Sequence, residues 1–273
     1  MDCPDPTRSP GVSAMTTDSF SPALPRVALV TGAARRIGRA IAFDLARAGF
    51  AVAVHHARSG PEAEAVVAAI TAQGGRAVAV AADLARESEV ATLIDHVAAR
   101  LGPVGVLVNN ASTFERDEAL DATRESWDLH MEVNLRAPFV LTQSLAHHLP
   151  PMAEAVVVNL IDQRVWNLTP HFTTYTLSKA GLWTLTQTLA LALAPRIRVV
   201  AIGPGPALPS VRQSAEAFAA QASSLPLHRG TGPDEICAAL RFLLSTPSIT
   251  GQMIALDGGQ HLGWGVGGDS FEE

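Results

Sequence analysis

The chain has 273 residues, 48% of them apolar and 17% charged, with a formal net charge of −6. This suits one sizeable core and excludes a broad cationic surface for nucleic acid. Its two cysteines, Cys3 and Cys237, give neither a disulfide framework nor a zinc spacing, and no uninterrupted apolar window is long enough for a membrane span, so a cytoplasmic protein is expected.

Residues 1–25 mix Pro, Ser, Thr and Asp without periodicity and lack the basic start and apolar centre of a signal peptide. They are expected to be a disordered tail, with Met15 a candidate translation start. From Arg26 onward, short apolar runs alternate with longer amphipathic segments. VALVTG leads into a helix from Arg36 to Ala48, AVAVHH into one from Glu62 to Gln73, AVAVAADL into one from Glu87 to Arg100, and VGVLVNNAS into one from Trp127 to His148. AVVVNLI, a helix from Tyr175 to Ala194, IRVVAIGPG, a helix from Asp234 to Leu244 and MIALDGG complete the series before a C-terminal tail at 263–273. Runs of Val, Ile, Leu and Ala without polar alternation are strands buried on both faces, which requires helices on both sides. The predicted fold is one α/β domain over residues 26–262, a Rossmann-type doubly wound parallel sheet of about seven strands. Gly49, Gly74, Gly102 and Pro195 fall where helices should stop.

The ligand crevice of such a sheet lies at the carboxyl ends of the strands, where the first strand-to-helix turn offers amides to a pyrophosphate. Here that turn is TGAARRIG, with Gly32 and Gly38 permitting a close approach and Arg36 where a further glycine is common. Arg35, Arg36 and Arg39 stand at the helix end that the macrodipole makes unfavourable for cations, so they call for an anion such as a phosphate. The second strand ends in HHARS. An unphosphorylated ribose would call for an acid there, whereas Arg58 and Ser59 offer donors to a 2′-phosphate, which points to NADP(H). His55 and His56 are read as strand-end packing, with His56 beside the phosphate. No His, Asp or Glu grouping has a metal spacing.

Tyr175 is the only tyrosine, Lys179 follows it by one helical turn on the same face, and Asp162 precedes it by thirteen residues at the end of an apolar run. The turn at Thr31 to Gly38, Asp83 after the third strand, NNAS at Asn109 to Ser112, Asn134, the Tyr175–Lys179 pair, Pro204–Gly205 and the DGG at Asp257 to Gly259 together resemble the short-chain dehydrogenase/reductase family over Val27 to Gly259. Carbonyl-reducing members place a serine where this chain has Asp162. With Arg36 in the glycine-rich turn and NNAS followed by Thr113 and Phe114, the chain resembles the pteridine reductase and dihydromonapterin reductase branch.

The resemblance implies a catalytic set of Asp162, Tyr175 and Lys179, with Asn134 holding a helix bulge and a proton-relay water. It implies NADP(H) contacts from Thr31, Gly32, Arg35, Arg36, Ile37 and Gly38, from His56, Arg58 and Ser59, and from Asp83 and Leu84. Further contacts would come from Asn110, Ala111 and Ser112, from Tyr175 and Lys179, and from Pro204 and Gly205. Arg36, Ser112, Phe114, Asp162, Tyr175 and Trp166 would line the pterin pocket. Asp83 either meets the adenine or caps the next helix, and Phe114 either stacks on a planar substrate or packs its loop. Family members are usually tetramers, and the apolar helices around Ala137 to Leu149 and Leu182 to Leu193 would suit such an interface.

The chemistry accounts for these residue types. A free phenol titrates near pH ~10, and a neighbouring ammonium lowers it toward neutrality. Asp162 beside apolar residues is expected to have a raised pKa and to hold a proton for the ring nitrogen of a dihydropterin, which a serine would not supply as an acid. Its other reading is a cap or a salt bridge with Arg164. The leading function is thus an NADPH-dependent reductase of dihydropterins, with a small-molecule substrate and neither nucleic acid nor membrane as partner. The alternatives are a 3-oxoacyl-type carbonyl reductase, disfavoured by Asp162, and a non-catalytic NADP(H) sensor, disfavoured by the intact Tyr175–Lys179 pair.

Overall fold

The computed structural model describes residues 20–209 and 213–263. Its strands are β1 (Val27–Val30), β2 (Ala51–His56), β3 (Ala77–Ala81), β4 (Val106–Asn109), β5 (Ala155–Leu160), β6 (Ile197–Pro204) and β7 (Met253–Leu256). They form one sheet in the order β3-β2-β1-β4-β5-β6-β7, with every neighbouring pair parallel. This is the doubly wound fold that the unbroken Val and Ala runs predict.

Successive residues of each strand feed two different cores, as the strand period of two requires. Ala28 and Val30 join the layer of α1 (Arg36–Arg47), α2 (Gly60–Ala72) and α9 (Pro233–Ser245), which contributes Ile41, Leu45, Ile70, Ile236 and Leu240. Val27 and Leu29 join the opposite layer, which contains Ile94, Leu141 and Leu189. That layer is built by α4 (Leu93–Leu101), α6 (Ala137–His148) and α7 (Thr173–Leu193), with α3 (Glu87–Val90) and α5 (Arg124–Met131) flanking it; α8 (Ala215–Ser224) stands after β6.

Several boundaries differ from the sequence reading. The helix expected over Glu87 to Arg100 is two helices, separated at Ala91–Thr92. The helix expected over Trp127 to His148 starts earlier, because Thr123 caps it by accepting from the Ser126 amide, and it is interrupted by a π-turn at Glu132–Arg136. α8 is a further helix, between β6 and α9, beyond those expected from the sequence. The tail expectation over residues 1–25 lies outside the described residues as far as Ser19, as do Cys3, Met15 and residues 264–273. Phe20 and Leu24 are buried in the first core, and the Arg26 guanidinium sits 4.9 Å over the Phe20 ring. Burying two such side chains contributes about 1.5–3 kcal/mol each, enough to hold this stretch on the domain. Among the described residues no helix is long and apolar enough to cross a membrane.

Candidate active site

Strand order reverses between β1 and β4, and the loops that follow these strands meet at the resulting crevice. Thr31 joins them. Its Oγ1 donates to the Val108 carbonyl at 3.3 Å and accepts from the Asn110 and Ala111 amides at 2.9 and 3.0 Å. Asn110 Nδ2 donates in return to the Thr31 carbonyl at 2.8 Å. A Cβ at Gly38 would lie 2.4 Å from the Gly32 carbonyl oxygen and 2.5 Å from Asn110 Nδ2, so nothing larger than glycine fits. α1 starts with neither a side-chain cap nor an acidic residue in its first turn, which leaves its first amides as an anion-binding end.

His55, assigned to packing by its sequence position, holds this turn. Its Nδ1 accepts from the Gly32 amide at 3.0 Å and its Nε2 donates to the Ala82 carbonyl at 3.0 Å. That pattern requires a neutral ring with the proton on Nε2. Burial pushes the imidazole down to about 4, against the opposing pull of the Ala82 carbonyl.

The three arginines have partners within the protein. Arg35 is ion-paired with Glu62, and Arg39 lies 4.7 Å over the Phe43 ring. Arg36 donates to the carbonyls of Pro209 and Leu208 at 2.9 and 3.2 Å. It also has φ of 52°, a left-handed conformation that costs a side-chain-bearing residue what it would not cost glycine.

Beside the turn, a cavity of about 430 Å³ is lined by Gly32, Arg35, His56, Arg58, Ser59, Asp83, Leu84, Ala111 and Ser112, among others. His56 Nδ1 is buried on this wall without a hydrogen-bond partner, beside the donors of Arg58 and Ser59. The set fits a ligand that carries phosphate. Asp83 lines the cavity, and its Oδ1 accepts from the Ala85 amide at 3.0 Å in the turn before α3, whose N-cap is Arg86 without a side-chain cap bond.

The second cavity, about 250 Å³, collects Arg36, Ile37, Asn110, Ser112, Phe114, Asp162, Tyr175, Lys179, Pro204 and Gly205. Tyr175 Oη donates to Asp162 Oδ2 at 2.9 Å, while Asp162 Oδ1 accepts from the Arg164 amide at 2.8 Å. The aspartate therefore caps the short 3₁₀ turn Gln163–Val165 with one oxygen and engages the phenol with the other. Lys179 is buried, its Nζ donating to the Leu160 carbonyl at 2.8 Å and lying 5.8 Å from the Tyr175 ring centre. Burial pushes its ammonium down to about 8, with the Asp162 carboxylate pulling the other way.

Asn134 projects from the π-turn and acts as a brace. Its Nδ2 donates to the Thr113 carbonyl and Ser178 Oγ, both at 3.0 Å, and its Oδ1 accepts from the Thr113 amide at 2.8 Å and Ser112 Oγ at 3.2 Å. Ser178 Oγ in turn donates to the Tyr175 carbonyl at 2.7 Å. One amide thus ties the Ser112–Phe114 loop to the helix that carries the phenol.

Phe114 packs its loop against the start of α7. It lines the cavity, stacks on Phe172 at 4.4 Å with planes 4° apart, and meets Tyr175 edge-on at 4.7 Å. Phe172 adopts φ of 60° at the start of α7, where the Asp117 carbonyl accepts from its amide at 2.9 Å. Asp117 also accepts from Ser126 Oγ at 2.6 Å and the Thr174 amide at 3.1 Å. Although burial opposes it, these bonds hold its carboxyl below the usual range. Trp166 is not among the residues lining the cavity. It packs edge-on against Trp183 at 6.1 Å and His261 at 5.2 Å.

A switch-point crevice with a glycine-bearing turn at an uncapped helix start on one side and an Asp–Tyr–Lys constellation on the other defines a Rossmann-type oxidoreductase. A family model described as enoyl-(acyl carrier protein) reductase matches residues 32–261. The chain is 35% identical to the 3-oxoacyl-[acyl-carrier-protein] reductase of Synechocystis sp., covering 86% of this chain and 96% of that protein. Among solved structures it is similar to FolM alternative dihydrofolate reductase 1 from Brucella canis, complexed with NADP. The TM-score is 0.87 and the identity 49%, over 90% of this chain and 98% of that one. The Brucella suis counterpart, also with NADP, gives 0.86 and 50%, over 92% and 99%. The chain belongs to the short-chain dehydrogenase/reductase family.

Proposed function

We propose that the protein is an NADPH-dependent reductase of dihydropterins, of the dihydromonapterin or dihydrobiopterin kind, with dihydrofolate as a further substrate. The observation that carries this reading is the Asp162–Tyr175 hydrogen bond of 2.9 Å inside the cavity that Phe114 lines. The similarity to FolM structures at 49% and 50% identity supports it, and so does their bound NADP. Arg58, Ser59 and the unpartnered His56 Nδ1 fit a 2′-phosphate.

The cofactor supplies hydride when bound. The residues of this chain manage position and proton. Phe114 offers a planar ring to a planar bicycle. Tyr175 and Asp162 share a proton in a pocket whose wall also holds Lys179, and the lysine ammonium favours the phenolate after transfer to the ring nitrogen. Asn134 holds Ser112 and Thr113 at fixed distance from α7, so the substrate wall and the phenol keep one geometry.

A second reading is 3-oxoacyl reduction, favoured by the curated relatives of that name at 35% identity. Asp162 counts against it, because carbonyl-reducing members of the family place a serine hydroxyl at this position, whereas here Asp162 engages the Tyr175 phenol at 2.9 Å. The test is oxidation of NADPH and of NADH by the purified protein with dihydrobiopterin, dihydromonapterin, dihydrofolate and a 3-oxoacyl ester. Turnover of a dihydropterin with NADPH preferred is the expected result. Reduction of the ester alone would replace this reading with the second.

A further inference from the structure

Four glutamines line the cavity that holds Asp162 and Tyr175: Gln163, Gln213, Gln221 and Gln260. Gln213 Nε2 donates to Gln221 Oε1 at 3.0 Å, so that pair is held within the protein. Gln163 and Gln260 are different. The Oε1 atoms of both are buried and accept no hydrogen bond, and among the described residues neither side-chain amide is anchored by another group. Because a half-turn about the last side-chain torsion exchanges oxygen and nitrogen, each can present either a donor or an acceptor to a ligand. A hydroxyl, which both donates and accepts, complements such an amide at either setting.

The backbone under both amides is fixed even though the amides are not. Gln163 opens the 3₁₀ turn directly after Asp162, and Gln260 opens the turn Gln260–Leu262 after β7. Asn167 Nδ2 donates to the Gln260 carbonyl at 3.2 Å, and Trp166 packs on His261 at 5.2 Å, so the two turns are zipped together. Gly205 makes room: a Cβ there would lie 2.8 Å from the Asp257 Cα and 3.0 Å from Gln260 Oε1.

The chemistry of a dihydropterin says which part of it these amides would meet. In a 7,8-dihydropterin the bond to be reduced joins C6 to N5, and the side chain is carried on C6, the carbon that takes the hydride. A side chain on the reacting carbon lies beside the group that protonates the neighbouring nitrogen; the 4-oxo group flanks that nitrogen on its other side, and the 2-amino group lies at the far end of the bicycle. Gln163 is the next residue after Asp162, and the Gln260 turn packs against it.

We propose that Gln163 and Gln260 form a subsite for the hydroxyl groups of the substrate side chain, so that the enzyme selects polyhydroxylated dihydropterins over those with a bare alkyl group. The inference rests on the dihydropterin reading above and deepens it. A site built to hydrogen-bond a substrate hydroxyl discriminates against the analogue that lacks it.

The test compares kcat/KM for 7,8-dihydromonapterin, which has a trihydroxypropyl side chain, with that for 6-methyl-7,8-dihydropterin. The comparison uses the wild type, Gln163→Leu, Gln260→Leu and the flexible near-isostere Gln163→Met, each checked for an unaltered thermal transition. The wild type is expected to favour the hydroxylated substrate by roughly tenfold or more, and each substitution to reduce that ratio by about tenfold, mainly through KM. Gln260→Asn, which keeps an amide, should recover part of the ratio. Equal efficiency on both pterins in the wild type, or an unchanged ratio in the variants, overturns the subsite. Failure of every enzyme to reduce either pterin, with the 3-oxoacyl ester reduced instead, overturns the underlying reading and the subsite with it.

Discussion

Replacing His55 by Gln gives a sharp test of how the phosphate turn is held. His55 is buried, donates from Nε2 to Ala82 and accepts at Nδ1 from the Gly32 amide, so protonation would set an N–H against an N–H. Burial is the largest influence holding its pKa at about 4 rather than 6.5, reinforced by His56 and opposed by Ala82 and Asp83. A folded pKa below the unfolded one means stability that is complete above about pH 6.5 and is lost as pH falls through about 4. A shift of this size corresponds to about 3 kcal/mol. The assay is denaturant unfolding at pH 7 and pH 4 for the wild type and His55→Gln, whose amide does not titrate. Contributions from carboxylates are common to both proteins and cancel in the difference. The wild type should lose about 3 kcal/mol more than the variant between these pH values. Equal losses, or an NMR titration of His55 near its ordinary value, would refute the argument.

Lys179 has a folded pKa of about 8, below its ordinary value because of burial, so its charged form is disfavoured by folding and stability rises with pH between about 8 and 10.5. Its catalytic consequence runs the other way: kcat/KM should fall as pH rises through about 8, and Lys179→Met should cost about 10²–10⁴-fold in kcat and abolish that limb. A pH profile flat to pH 10 in the wild type contradicts the assignment. Gly38→Ala would force a Cβ to within 2.4 Å of the Gly32 carbonyl oxygen. The expected result is a loss of about 1–3 kcal/mol of stability and, if the turn holds the cofactor phosphates, at least roughly tenfold weaker NADPH binding by fluorescence titration.

The sheet was legible because β1, β2, β4 and β5 each open with a run of Val, Ala and Leu, a signal set by burial on both faces. The spacing of Asp162, Tyr175 and Lys179 was equally readable, since one helix and one strand end fix it. Breaks within helices were not legible. Nothing in the composition of Ala91–Thr92 marks a helix break, and the π-turn at Asn134 follows from that amide bridging a loop and α7, which are distant in sequence. Phe172 takes a left-handed conformation that sequence assigns to glycine or asparagine, held there by Asp117. Trp166 sits four residues after Asp162 yet turns to Trp183 and His261, because the 3₁₀ turn rotates it away from the cavity. Gln163 and Gln260 converge from loops almost a hundred residues apart, and no local pattern records such a meeting.

The central claim is that Asp162, bonded to Tyr175, directs this reductase to a pterin nitrogen. NADPH oxidation by the wild type and by Asp162→Ser, each offered dihydrobiopterin, dihydromonapterin and a 3-oxoacyl ester, tests it most directly. The account predicts pterin turnover in the wild type that falls by about 10²-fold or more in the variant, while the thermal transition stays in place. A wild type that reduces the ester and ignores the pterins, or a serine variant that keeps full pterin turnover, would contradict it.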